Sequence, residues 1–393
     1  MAIGLYIHIP YCLQKCHYCD FATLPVNHSL DMSRYYDLLL LEIKSRHEFI
    51  DVREVSSIYF GGGTPSLFPP ERILALRNEL LGLGFKIVPN AEITIEINPG
   101  TIHRQALDLY LAAGVNRYSV GVQTFNDSYL KKIGREHSAD SSRKTLQFLK
   151  DHSLNYSFDL MFGLPDQKMS DLKKDLNELG QYTPPHVSLY NLTIPKKNPL
   201  NTGRASDDVQ AEMFKEIELS LSEFGLYRYE LSNFCLMGSE SKHNQIYWSD
   251  LPYWGIGLSA HSYLPKHGPW GTRFWNPSSA QKYEEQVLAL QSHKNFLQAL
   301  PSNQLESLEE HQSLTDFCHT HLRMQRGLSL PKLTHKFGPA VSDLVQNKLE
   351  RLVRANSLVS NENNYRIAPS AWSTANKVFL ELTFLKKDLL STH

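Results

Sequence analysis

Between residues 4 and 231 the chain alternates repeatedly between short β-rich runs and longer amphipathic ones. The β-rich runs are GLYIHI (4–9), SSIYF (56–60), EITIEI (92–97), RYSVGV (117–122), NYSFDLM (155–161), HVSLY (186–190) and YRYEL (227–231). Segments such as SRYYDLLLLEIKSRHEF, ERILALRNELL and SDLKKDLNELGQY separate them and carry a helical period. Strands alternating with helices predict βαβ units around a parallel sheet. About six such units in one run point to a partial parallel (β/α) barrel rather than a small doubly wound sheet. In either architecture, ligands bind at the C-terminal ends of the strands.

The pattern breaks at SYLPKHGPWGTRFWNPSS (262–279), whose Gly, Pro and Trp content predicts a long ordered loop or linker. Helices are expected over about 278–292 and 304–323. Two further helical segments, LSLPKLTHKFG and AVSDLVQNKLERLVRAN, precede the strand candidates SLVS and YRIA, joined by NENN. Helix, helix, β-hairpin is the order of a winged helix. The expected domains are 1–235, a partial barrel; 236–300, a motif-bearing segment and linker; and 301–393, a smaller helical, winged-helix-like unit.

The net charge is −1, so bulk attraction to nucleic acid is not the main role. Lys332, Lys336, Lys348, Arg351 and Arg354 lie in the winged-helix-like unit, but acidic residues intervene and form no dense basic stripe. No nucleic-acid partner is expected. The N-terminal MAIGLYIHIP lacks the features of a signal peptide, and no apolar run is long enough to span a bilayer. A cytoplasmic protein is expected.

Cys12, Cys16 and Cys19 are spaced C-x3-C-x2-C at the end of the first strand. Zinc favours paired C-x2-C motifs with a second pair or histidines, and no second pair follows. Three thiolates suit a [4Fe–4S] cluster with one iron left open to a small chelating ligand. GGGTPS (61–66) follows the second strand. Its glycines let backbone groups approach a ligand, and no GK[ST] follows to make a phosphate-binding P-loop. Cys235 and Cys318 stand alone and read as buried small hydrophobes.

The C-x3-C-x2-C motif after an N-terminal strand, with Tyr18 before the last cysteine, resembles the radical S-adenosylmethionine family. The resemblance implies that Cys12, Cys16 and Cys19 hold the cluster and that S-adenosylmethionine chelates the open iron. It also implies cofactor contacts at Tyr6, Gly62, Gly63, Thr64, Glu96, Gln123, Arg135 and Asp159. Within the family, YIHIPYC, GGGTPS, GVNRYSVGVQTFN, GREH and DLMFGLP resemble the group that contains oxygen-independent coproporphyrinogen III dehydrogenase. That enzyme has a fourth cysteine where this chain has Phe21.

HNQIYW (243–248) is similar instead to the H-N-x-x-Y-W motif of the HemW type of haem chaperone. Haem iron takes a neutral imidazole, and flat aromatic side chains suit a porphyrin. The resemblance therefore implies haem binding at His243, with Tyr247, Trp248 and His261 as further candidates. It implies delivery of haem to acceptor haem proteins, respiratory ones among them. Transient contact with a membrane surface and a homodimer belong to the same expectation. The alternatives are a radical enzyme, which would cleave S-adenosylmethionine and decarboxylate a porphyrinogen propionate, and a zinc-binding interaction module.

Overall fold

The computed structural model describes residues 2–290 and 300–390. Its main sheet is built from Ile3–Ile9 (β1), Glu54–Gly62 (β2), Lys86–Ile97 (β3), Arg117–Gln123 (β4), Tyr156–Phe162 (β5), His186–Asn191 (β6), Tyr227–Glu230 (β7), Asn233–Cys235 (β8), Tyr253–Ile256 (β9), His261–Leu264 (β10), Thr272–Trp275 (β11) and Leu305–Ser307 (β12). The order among the described residues is β12-β11-β10-β9-β1-β2-β3-β4-β5-β6-β8-β7. The run from β9 through β1 to β6 is parallel, and the strands added at either edge are antiparallel. Among the described residues the sheet is open, and its two edges do not pair with each other. The expected α/β partial barrel is therefore the observed architecture.

Alternation along each strand sorts the side chains. On β3, Ile93, Ile95 and Ile97 belong to the main apolar core, whereas Glu92, Thr94 and Glu96 occupy the intervening positions. The polar positions fall into register across strands: Glu96 is opposite Ser119, Ser119 opposite Ser157, and Asp159 opposite Ser188. The apolar face is covered by helices, with Leu38, Leu39 and Ile43 from Met32–Arg46 and Leu172, Leu176 and Leu179 from Met169–Gly180. Each such side chain contributes about 1.5–3 kcal/mol on burial. Helix starts are fixed by capping side chains: Asp31 accepts from the amides of Ser33 and Arg34, and Ser138 from that of Ser141. One face of the sheet is thus greasy and sealed, and the other is polar.

The segment read as a loop, 262–279, instead supplies most of β10 and all of β11, which pair His261 with Trp275 and Tyr263 with Arg273. Four-residue strands with Pro265, Gly268, Pro269 and Gly271 between them gave little periodicity; pairing along the sheet edge with β9 and β12 supplies the order. The helix expected over 278–292 runs Ala280–Ala289, and residues 291 and 292 lie outside the described residues. Glu310–Arg323, Leu330–Phe337 and Pro339–Arg354 precede a hairpin of Leu358–Asn361 and Asn364–Ile367, to which Leu328–Ser329 adds a third strand. These elements share a second apolar core, separate from that of the main sheet. Cys235 and Cys318 are fully buried.

Candidate functional site

The cysteine loop leaves β1 and lies over the polar face of the sheet at the C-terminal strand ends. Cys12, Cys16 and Cys19, with Gly62, Gly63, Thr64, Glu96, Gln123, Arg135 and Asp159, line one cavity of about 490 Å³. Nearly every residue expected to serve the cluster and cofactor is therefore gathered in one place. Tyr6 is the exception: it lines a neighbouring cavity, and its hydroxyl pairs with His8 Nδ1 at 2.9 Å.

The loop is held by specific contacts. Thr64 Oγ1 donates to Cys12 Sγ at 3.7 Å, and Arg135 Nη1 donates to Cys16 Sγ at 3.7 Å. The amides of Gly63 and Thr64 donate to the carbonyls of Ile9 and Tyr11, each at 2.8 Å. A Cβ on Gly63 would lie 2.5 Å from the Pro10 carbonyl oxygen, so this approach requires glycine. Burial pushes the Cys12 thiol up to about 11 and raises Cys19 as well. Binding to iron would replace those protons. No group of three or more His, Cys, Asp or Glu among the described residues converges to hold a single metal ion. Three thiols that each hold a different iron surround a cluster and need not converge on one point.

Around this loop the polar face is preorganised. Arg135 Nη2 donates to Asn98 Oδ1 and to the Gly121 carbonyl, both at 2.8 Å. Gln123 has φ +65°, a conformation that costs a non-glycine residue about 1–3 kcal/mol. Ser119 Oγ donates to Asp159 at 3.1 Å. Glu96 accepts from Tyr59 Oη at 2.8 Å and the Gly62 amide at 3.0 Å. Burial nonetheless raises its carboxyl to about 7. Such a group gains from a cationic partner, because a nearby positive charge favours the carboxylate.

The second cavity, of about 650 Å³, adjoins the first and shares Phe21, Tyr59, Gly62 and Glu96 with it. His243, Tyr247, Trp248 and His261 all line it. His243 lies on the short helix Lys242–Tyr247 and is 1% exposed. Its Nδ1 pairs with Ser57 Oγ and its Nε2 with Tyr247 Oη, both at 2.8 Å. Burial drives its pKa down to about 3, so the ring is neutral. Glu92 holds the start of this helix: its carboxylate accepts from the amides of Lys242 and His243 at 3.1 Å and from Ser241 Oγ at 3.3 Å, and it faces Arg117 at 3.7 Å.

A family model described as the Radical SAM superfamily matches residues 6–179. The "Heme chaperone HemW" of Lactococcus lactis is 31% identical over 385 residues, covering 95% of this chain and 95% of the relative. That of Bacillus subtilis is 30% identical, covering 95% and 97%. The chain belongs to the HemW family of radical SAM proteins. The HemW of Escherichia coli is 36% identical over 264 residues, 66% of this chain and 69% of that protein. Among solved structures, the coproporphyrinogen III oxidase HemN of Escherichia coli has a TM-score of 0.80 over 97% of this chain and 90% of its own, at 20% identity. At that identity the likeness shows a shared fold, and it extends through the C-terminal domain.

Several residues that shape these two cavities were not singled out from the sequence. Ser57 and Glu92 fix His243 from positions 186 and 151 residues away. Period-two alternation puts Glu92 on the same face as Glu96, the one signal that could have found it. Phe21, noted only as the place of a missing cysteine, faces both cavities and is 62% exposed. Arg273 also reaches the second cavity, where it pairs with Asp316.

Proposed function

We propose that this chain is a haem chaperone that binds haem in the larger cavity and delivers it to acceptor haem proteins, respiratory ones among them. The observation that carries the reading is the adjacency of two cavities with different linings. One holds three thiols, a glycine turn and polar strand ends; the other holds three imidazoles and a set of tyrosines, Trp248 and Phe21. A porphyrin needs flat apolar contact and an imidazole for its iron, which the second lining supplies.

In this reading Cys12, Cys16 and Cys19 hold a [4Fe–4S] cluster. S-adenosylmethionine would be held in the rest of the smaller cavity, beside the three cysteines. Gly62, Gly63, Thr64 and Glu96 receive its amino group, Arg135 and Gln123 face its carboxylate, and Asp159 takes the ribose side. An arginine opposite a carboxylate gains a charge-assisted bond. When bound, the cluster and cofactor supply one-electron chemistry or, in a chaperone, an ordering of the loop that borders the haem cavity. Tyr6 abuts the haem side instead. No helix of the described residues is long and apolar enough to cross a membrane. A cytoplasmic location, transient membrane contact and a homodimer complete the proposal.

The test is transfer. Haem-loaded protein, with and without its cluster, is mixed anaerobically with the haem-free form of a respiratory haem protein, and the acceptor's absorption is followed. Transfer that depends on the cluster supports the chaperone reading. No transfer, together with stoichiometric 5′-deoxyadenosine formed in the presence of coproporphyrinogen III, would establish the radical-enzyme alternative.

A further inference from the structure

The haem cavity is lined by three imidazoles, and they are not equivalent. His8 is 2% exposed and has both ring nitrogens engaged, Nδ1 by the Tyr6 hydroxyl at 2.9 Å and Nε2 by the Ala22 carbonyl at 2.8 Å. His243 is buried, and both of its ring nitrogens are engaged, by Ser57 and Tyr247. Binding iron through either nitrogen would break one of those bonds and strand a buried hydroxyl, at about 1–3 kcal/mol. His261 is exposed to the cavity, and its ring nitrogens make no hydrogen bond to protein among the described residues. We propose that His261, rather than the motif histidine His243, is the residue that ligates haem iron in this cavity. This inference rests on the haem reading above and deepens it.

The structure holds His261 in place as a ligand needs to be held. Its ring stacks on Trp275, with centroids 5.6 Å apart and planes 18° from parallel. Its backbone lies against Gly255, where a Cβ would come within 2.2 Å of the His261 carbonyl oxygen. The turn before it is anchored from three sides. Glu42 accepts from the Gly257 amide at 2.9 Å, Asn276 Nδ2 donates to the Gly257 carbonyl at 2.7 Å, and Tyr35 Oη accepts from the Leu258 amide at 2.9 Å. A rigid turn that presents an unengaged imidazole into a cavity meets the requirement that a site's residues be locked by their supports. Burial and the neighbouring Arg273 also lower the pKa of His261, which favours the neutral ring that iron binds. Iron would take the lone pair of a ring nitrogen, with no proton to remove. His243, latched between Ser57 and Tyr247, then forms the wall of the cavity.

The experiment uses anaerobically reconstituted full-length protein titrated with ferric haem, as wild type, His261→Ala and His243→Ala. Soret position and low-spin resonance report the axial ligand. The assignment predicts that His261→Ala loses the imidazole-ligated spectrum and binds haem roughly tenfold or more weakly. Added free imidazole should restore the spectrum in that variant, a rescue that a misfolded protein would not show. His243→Ala should weaken binding but keep the imidazole signature. If His261→Ala keeps the wild-type spectrum while His243→Ala loses it, the assignment falls and the haem reading stands. If the wild type itself shows no saturable haem spectrum, the haem reading falls and takes the assignment with it.

Discussion

Glu96 sits where the two cavities meet, and its environment yields a measurable trade between stability and binding. Replacing it by Gln keeps the shape and removes the charge. In the folded protein burial lifts this carboxyl from an ordinary 4.5 to about 7. A carboxyl raised on folding costs the fold nothing below the unfolded value. The cost grows as pH rises from about 4.5 to 7 and is complete above that. A shift of this size corresponds to about 3–4 kcal/mol in full. Glutamine cannot carry the charge, so the variant escapes the penalty. Its amide meets the Tyr59 hydroxyl and Gly62 amide less well than a carboxylate does, but that loss barely changes with pH. The stability difference, variant minus wild type, should therefore rise by about 3 kcal/mol between pH 4.5 and pH 8. Urea denaturation of the cofactor-free protein at several pH values measures it. The same variant should bind S-adenosylmethionine more weakly, because the carboxylate that would meet its ammonium is gone. A difference that is flat with pH, or that falls, would refute the placement of Glu96 as a carboxyl whose charge is desolvated by its surroundings.

Glu92→Ala removes the acceptor for two amides at the start of the Lys242–Tyr247 helix and leaves Arg117 buried beside it; urea unfolding should show a loss of about 3–5 kcal/mol. Alanine at Cys12, Cys16 or Cys19, taken one at a time, should abolish the broad iron–sulfur absorbance near about 400 nm after anaerobic reconstitution, whereas Cys235→Ala should retain it. Gly63→Ala should also lose the cluster, because its Cβ would strike the Pro10 carbonyl at 2.5 Å and push the cysteine loop outward; iron and sulfide analysis checks this.

The parallel half of the fold was legible because its strands and helices carry strong, opposite periodicities. Each strand from β1 to β6 was placed within a few residues, apart from the start of β3, where KIVPNA extends the strand back to Lys86. That extension mixes Pro89 and Asn90 into the strand, residues that read as a stop. β10 and β11 were missed because they are only four residues each, and their order comes from pairing with each other and with β9 and β12 at the sheet edge, not from a pattern within either strand. At the site, the cysteine spacing and the glycine turn were readable because their chemistry is carried by neighbours in sequence. The support of His243 by Ser57, and of the turn before His261 by Glu42, was not readable. Those contacts join residues more than 180 positions apart, and serine or glutamate at such positions has many commoner uses. Full engagement of the His243 ring, against the open ring of His261, is likewise a property of the assembled cavity.

The most direct test of haem carriage is an anaerobic titration of the cluster-loaded wild-type protein with ferric haem, followed in the Soret region. A saturable change at about one haem per chain, with the spectrum of imidazole-ligated iron, is the predicted result. Weak, unsaturable uptake with the spectrum of free haem would contradict it.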